Sequence, residues 1–360
     1  MLKTDIKSLT IEELKTKLLE MGEKPFRGKQ IYGWLHEKQA LSFEEMSNLS
    51  LELRRRLAER FTLTHLEMVR VQESAVDGTR KYLLRLYDGN LIESVWMRYH
   101  HGNSICISSQ AGCRMGCSFC ASTLDGLARN LTPAEMLEQV YAVTRHTGQR
   151  ISHVVVMGTG EPLDNYDSLL RFLCLLTGEG GLHISQRNVT VSTCGIVPNI
   201  YRLAREKLQI TLALSLHAVT DEKRQSLMPV ARRYPLDEVL AACEYYQKET
   251  GRRLTLEYSL IRGINDSGED AAGLAAIAGK CGFHVNLIAW NPVSERGFAP
   301  PQRAQVEAFQ NKLEKNGINV TIRREMGRDI DGACGQLRYG YSRGNSSDGS
   351  ELLRASRRHR

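Results

Sequence analysis

No apolar run in the 360 residues approaches the length that would cross a bilayer. The start, Met1-Leu-Lys-Thr-Asp-Ile-Lys, sets charges where a secretory leader carries an unbroken apolar stretch. Neither a membrane partner nor an oxidising compartment is expected, and a cytoplasmic chain is. Charge of one sign is missing too: 48 Lys and Arg stand against 41 Asp and Glu, a net +7. Such mild basicity suits a polyanionic partner without requiring one. With 42% hydrophobic and 25% charged residues, the composition excludes disordered, collagenous and disulfide-scaffold chains. Cysteine, by contrast, is plentiful. There are nine, and Cys113, Cys117 and Cys120 fall within eight residues. Scattered buried thiols account for Cys174, Cys194, Cys243 and Cys281, but not for that cluster.

Residues 1–72 read as a helical accessory module. Thr10 and Glu13 form a capping box before Leu14, Leu18 and Leu19, and Gly22 stops the helix. A second helix is expected over Phe26–Glu37, a third from the Ser42/Glu45 pair, and a fourth over Leu49–Phe61. Through position 70 the module has 13 basic and 11 acidic side chains, so any nucleic-acid role would rest on a local face, as at Arg54–Arg56. Residues 73–101 read as a linking β-hairpin, with β-rich runs flanking Asp88-Gly89-Asn90. Over 102–340, seven apolar β-runs alternate with helical stretches at about 133–148, 164–177, 198–207, 236–250, 268–280 and 302–316. About six β–α units predict an α/β fold with a mainly parallel sheet, short of the eight units of a full barrel. Residues 341–360, rich in Ser, Gly and Arg, read as a flexible basic tail.

Cys113-Arg-Met-Gly-Cys117-Ser-Phe-Cys120 is a CxxxCxxC triplet. Three thiolates on one short loop suit a soft partner, zinc or an iron–sulfur cluster. Structural zinc wants four ligands, usually as two separated pairs, and no second CxxC or HxxxH is present. A cubane held by three cysteines leaves one iron open, which suits catalysis better than electron storage.

The triplet, with its aromatic before the last cysteine, resembles the signature of the radical S-adenosylmethionine (SAM) superfamily. Ile105-Cys106-Ile-Ser-Ser-Gln-Ala-Gly-Cys113, Gly158-Thr-Gly160-Glu161-Pro162, Ser215-Leu216-His217 and Asp329-Ile-Asp-Gly-Ala-Cys334-Gly-Gln-Leu337 are similar to the RlmN/Cfr family of RNA adenine methyltransferases. Pro25-Phe-Arg-Gly-Lys-Gln-Ile-Tyr-Gly-Trp-Leu35 and Glu45-Met-Ser-Asn-Leu49 resemble the N-terminal module of the RlmN branch. The similarity runs from about residue 10 to about 340. It implies a partial (β/α)6 TIM-type barrel and a [4Fe-4S] cluster on Cys113, Cys117 and Cys120 whose open iron chelates SAM.

The resemblance further implies two SAM per turnover. Cys334 takes a methyl group from the first, and the 5′-deoxyadenosyl radical cleaved from the second removes hydrogen from that S-methyl. The methylene radical adds to carbon 2 of adenine, Glu93 accepts the proton lost there, and Cys106 attacks the sulfur of Cys334, releasing the base and leaving a disulfide. Gly160 and Glu161 would meet the SAM amino group, while Ser192, Ser215, Leu216, His217 and Asn291 would hold its carboxylate, ribose or adenine. Independently of that likeness, these motifs follow the carboxyl ends of successive expected strands, where parallel β–α folds bind ligands.

Implied partners are ribosomal RNA, naked or in an early assembly precursor, transfer RNA beside the anticodon, and an external electron donor such as flavodoxin or ferredoxin. A monomer is expected. Two other readings stay open on the residues: a Cfr-type carbon-8 methyltransferase conferring antibiotic resistance, and a non-enzymatic iron–sulfur or zinc RNA-binding protein. For phosphate contacts the sequence offers Arg54–Arg56 and the arginines of 323–328.

Overall fold

A computed structural model describes residues 3–293, 295–330 and 335–342. The chain opens with β1 (Thr4–Asp5), α1 (Ile11–Glu20), α2 (Phe26–His36), α3 (Leu51–Arg60) and β2 (Phe61–Thr62), with β1 and β2 pairing in parallel. The Thr10 box forms as expected: Glu13 N donates to Thr10 Oγ1 at 3.3 Å, and Thr10 N to Glu13 Oε2 at 2.8 Å. Leu14, Leu18, Ile31, Leu35, Leu53 and Leu57 build a small core of this module. One expected helix is absent. Residues 42–49 run as turns, closed by Met46 N to Phe43 O and Leu49 N to Met46 O. Phe43, Met46 and Leu49 each sink into the core at a spacing of three, which tight turns satisfy without a helix. The Glu45 carboxylate accepts from Leu41 N instead of capping. The next helix starts at Leu51, capped by Ser50, whose hydroxyl accepts from Leu53 N at 3.2 Å.

Next come β3 (Glu67–Glu73), β4 (Arg80–Arg85), β5 (Leu91–Tyr99) and β6 (Gly102–Cys106). The Asp88-Gly89-Asn90 hairpin forms where expected, with Gly89 at φ 84° and the Asp88 carboxylate accepting from Asn90 N. β3 is an addition to the sequence reading, and the hairpin continues directly into the main sheet. A short pair, β7 (Gln110–Gly112) and β8 (Leu127–Asn130), brackets the cysteine loop.

The alternating part then follows as α4 (Pro133–Thr147), β9 (Ile151–Val156), α5 (Tyr166–Thr177), β10 (Val189–Thr193), α6 (Val197–Arg205) and β11 (Thr211–Ser215). It continues through α7 (Asp221–Leu227), α8 (Leu236–Thr250), β12 (Thr255–Leu260), α9 (Gly268–Cys281), β13 (His284–Ala289), α10 (Arg303–Lys315), β14 (Val320–Ile322) and α11 (Gln336–Ser342). One sheet runs β14-β13-β12-β11-β10-β9-β6-β5-β4-β3, parallel from β6 to β14 and antiparallel through β5, β4 and β3. Six helical crossovers join its seven parallel strands, the α/β arrangement expected. Among the described residues the ladder has β14 and β3 at its edges. The helices cover it with a continuous core that includes Leu137, Val154, Phe172, Val191, Leu214 and Tyr258. No described helix is long and apolar enough to cross a membrane. Neither α7 nor α11 was expected. The expected tail lies outside the described residues from 343 onward, as does Cys334.

Buried polar contacts fasten the N-terminal module to α4. Lys7 and Glu138 are both fully buried and meet at 2.6 Å; Lys7 also donates to Thr64 O at 2.7 Å, and Arg145 holds the other Glu138 oxygen. His36 Nδ1 lies 2.7 Å from the Tyr141 hydroxyl. Lys7→Met should leave Glu138 short of a partner and lower stability by about 3 kcal/mol in urea unfolding. Burial depresses His36 to about 3. The unfolded chain therefore binds an extra proton in the window from about 3 up to the ordinary histidine value near 6.5, and this contribution to stability is lost as pH falls through that window. His36→Gln should accordingly lose less stability than the parent between pH 7 and pH 5.

Candidate active site

The cysteine loop follows β6 and is held on every side. Gly112 has φ 82°, and a Cβ there would lie 2.0 Å from Gly126 O, so only glycine lets the two segments approach. Cys113 N then donates to Gly126 O at 2.8 Å. Ser118 N reaches Leu227 O at 2.9 Å, Trp290 Nε1 reaches Phe119 O at 3.1 Å, and Arg296 donates to Cys120 O at 2.9 Å and Thr123 Oγ1 at 2.8 Å. Phe119, the aromatic before the last cysteine, stands edge-on to the His217 ring, centroids 4.9 Å apart.

Cys113, Cys117 and Cys120 line one cavity of about 510 Å³, within the range of small-molecule sites. The same wall carries Cys106, Gly160, Glu161, Ser192, Ser215, His217 and Asn291. Residues from β6, β9, β10, β11 and the segment after β13 thus meet at the carboxyl ends of their strands, where the sequence set them. Leu216 is the exception among the residues expected to hold SAM. Its side chain is buried in the core, and only its backbone is at the strand end, Leu216 N donating to Glu257 O at 3.0 Å.

Three sulfur donors on one cavity wall fit a thiolate-bound cluster. Among the described residues no three His, Cys, Asp or Glu side chains converge to grip a single ion. A cubane is gripped at its corners, so its thiolates ring a volume and need not meet at a point. Burial pushes Cys113 up to about 12 and Cys117 well above the ordinary thiol range, each further raised by the charges of neighbouring thiols and Glu161. The site therefore disfavours free thiolates and favours thiolates whose charge a metal takes up.

The wall that carries Gly160, Glu161 and His217 is ordered by its own hydrogen bonds. Glu161 accepts from Leu163 N at 3.0 Å and Cys194 N at 2.7 Å, while Glu161 N donates to Gln110 Oε1 at 2.9 Å. Burial raises its carboxyl, and the amide hydrogen bonds oppose that rise. Gly160 sits at φ 109° with Gln110 Cβ 2.6 Å from where its own Cβ would be, leaving bare backbone facing the cavity. His217 takes φ 57° and accepts from Ser259 N at its Nδ1, 3.0 Å away. Burial holds it down at about 3, so it is neutral with its proton on Nε2.

Glu93 does not line the cavity. Its carboxylate is buried, 3.1 Å from Lys81 Nζ, and accepts from Gly335 N at 2.7 Å and Arg338 N at 2.6 Å, so it fastens the start of α11. Gly335 is the residue after Cys334 in the chain.

The reading of four scattered buried thiols needs correction. Cys243 is buried in the core, but Cys174 is exposed and Cys281 is half-buried. Cys194 lines the cavity between Glu161 and Cys117. Sequence reasoning also missed Glu257 and Ser259, which line it from β12. Polar residues at i and i+2 of an otherwise apolar strand were the available signal. Arg54 and Arg56 are committed inside the module, to Glu44 O and to Glu23, leaving Arg55 and Arg60 exposed. Arg323, Arg324 and Arg328 are exposed and line the cavity.

This cysteine loop at the end of a parallel α/β sheet defines a radical SAM protein, and the radical SAM superfamily model matches residues 107–275. Residues 4–63 match the ribosomal RNA large subunit methyltransferase N-terminal domain. A probable dual-specificity RNA methyltransferase RlmN of Lachnospira eligens is 59% identical over 94% of this chain and 97% of its own, and one of Clostridium perfringens strain 13 is 51% identical over 94% and 97%. The chain belongs to the RlmN family of radical SAM RNA methyltransferases. A crystal structure of a radical SAM methyltransferase from Sphaerobacter thermophilus is 43% identical, covers 92% of this chain and 98% of that one, and superposes with a TM-score of 0.88. SAM and a [4Fe-4S] cluster follow from the superfamily.

Trp290→Phe keeps the ring against Phe298 but removes the donor to Phe119 O. It should destabilise by about 1 kcal/mol and release iron to a chelator several-fold faster, followed by absorbance loss near 400 nm.

Proposed function

We propose that this enzyme methylates carbon 2 of an adenosine in large-subunit ribosomal RNA, and of an adenosine next to the anticodon in transfer RNA, using two SAM per turnover. The observation that carries the reading is the pairing of two features in one chain: an N-terminal module matched to that of ribosomal RNA large-subunit methyltransferases, and Cys106 on the wall of the cluster cavity. Carbon 2 of adenine is electron-poor and resists polar displacement by SAM. When bound, the cluster supplies the electron that opens the radical route.

The chain's own residues divide the remaining work. Cys334 carries the methyl group as a thioether. Glu93 takes the proton from the methylated carbon, which requires that Gly335 and Arg338 release its oxygens first. Once the adduct's unpaired electron has passed back to the oxidised cluster that would be bound there, the Cys106 thiolate attacks the Cys334 sulfur; the carbon–sulfur bond breaks with its electron pair on carbon, which takes up a proton to become the methyl group, the methylated base leaves, and the disulfide is reduced by an external dithiol. Gly160, Glu161, Ser192, Ser215, His217, Asn291 and the Leu216 backbone orient SAM. Arg323, Arg324 and Arg328 meet RNA phosphates, with the module of residues 1–72 as a second RNA surface. The target base must leave its stack to enter the cavity. An electron donor such as a flavodoxin or ferredoxin, a cytoplasmic location and a monomeric state complete the proposal.

Nucleoside mass analysis of unmodified ribosomal and transfer RNA treated with enzyme, SAM and reductant should show 2-methyladenosine. 8-Methyladenosine would instead establish the Cfr-type activity. Cys334→Ala should bind iron and give no methylated base. Cys106→Ala should accumulate a protein–RNA crosslink on denaturing gels; normal turnover by that variant would remove Cys106 from the resolving role.

A further inference from the structure

Arg224 stands on α7 with its side chain fully buried. A guanidinium keeps its proton in proteins, and burying one is costly unless a carboxylate answers it. Among the described residues the other two wholly buried cations follow that rule: Lys7 meets Glu138 and Lys81 meets Glu93. Arg224 does not. Its Nη2 donates to Cys194 O at 2.7 Å, while Nε and Nη1 have no hydrogen-bond partner among the described residues. Gly195 leaves it room, since a Cβ there would lie 3.2 Å from Nη2.

Burial disfavours the charge on this guanidinium, and the groups whose ionised form would favour it are thiols before carboxylates: Cys194, Cys117 and Cys243, then Asp221. Cys117 is a ligand of the expected cluster, and its loop is tied to the same helix, Ser118 N donating to Leu227 O at 2.9 Å. Leu227 and Met228 pack with Cys117 and Cys194 in one apolar cluster, so charge and ligand hold a fixed relation. Arg224 is not among the residues lining the cavity. A diffusible anion or the SAM carboxylate therefore does not explain it; the negative charge it can answer belongs to the wall.

We propose that Arg224 is the fixed counter-cation of the cysteine triad, offsetting the negative charge that three thiolates and their cluster bring to a buried site. This rests on the cluster reading above. Reduction adds one more negative charge there, so a nearby cation stabilises the reduced form and raises the cluster's potential. The cation also stabilises the loaded protein more than the cluster-free one, in which its buried charge goes unanswered. Arg224 is a positioning residue; it touches neither SAM nor RNA.

Arg224→Met keeps the length and removes the charge, and Arg224→Lys keeps the charge. Thermal midpoints of full-length protein, cluster-free and anaerobically loaded, and the cluster potential from a redox titration followed by electron paramagnetic resonance, decide the matter. R224M should shrink the stability gap between loaded and cluster-free protein and move the potential to more negative values, while R224K retains most of both. Equal loss of stability in the two forms with an unchanged potential would make Arg224 a mere brace for Cys194 O, and so would failure of R224M to fold in either form. A parent protein that takes up no iron would overturn the cluster reading itself, whatever the variants do.

Discussion

The site depends on holding three thiols, Cys113 and Cys117 buried and Cys120 half-buried, on a loop that would otherwise have no reason to stay put. Cys113 and Cys117 resist ionisation where they lie, because burial and like-charged neighbours raise them. The fold answers with backbone contacts from four directions. Gly126 holds the entry to the loop, Leu227 its middle, and Trp290 and Arg296 its exit. Those anchors come from the residue before β8, from α7 and from the segment after β13, the last two far from the loop in sequence. Assembling the α/β sheet and shaping the cysteine loop are therefore one event. Hydrogen bonds of this kind are modest singly, but a short loop held at four points has little freedom left to lose when a cluster binds.

From that fixed point the rest of the cavity follows by topology. Parallel strands end together, so Cys106, Glu161, Ser192, Ser215 and the residues after β13 arrive at one rim without further instruction. The polar groups on the wall are then locked by local bonds, as with His217 against Ser259 and Glu161 against Leu163 and Cys194. The antiparallel strands β3 to β5 extend the sheet on one side. They place Glu93 next to Lys81 and the start of α11, so the C-terminal segment is fastened to the same sheet that carries Cys106.

Much of this was legible in the sequence, for identifiable reasons. Seven apolar β-runs and their intervening helices show because burial on both faces leaves continuous hydrophobic strands. The cysteine triplet and Gly158-Thr-Gly160-Glu161 show because chemistry and close backbone approach need those residues in immediate succession. What stayed hidden depends on long-range contacts. The helix α7, Asp221-Glu-Lys-Arg-Gln-Ser-Leu227, has no apolar stripe to announce it, yet it buries Arg224 completely. Arg54 and Arg56 looked like a free basic face, but their partners Glu44 and Glu23 lie well upstream. Cys194 looked like an ordinary core thiol until the strand ends brought it beside Glu161. In each case a distant neighbour decided what the side chain does.

The central claim is that the methyl carbon reaches adenine through a protein thioether after losing one hydrogen. Enzyme cycled through several turnovers on unmodified ribosomal RNA with SAM deuterated at its methyl group tests this directly. The account predicts 2-methyladenosine carrying two deuterium atoms, with the third in 5′-deoxyadenosine. A product that keeps all three would show intact methyl transfer and contradict it.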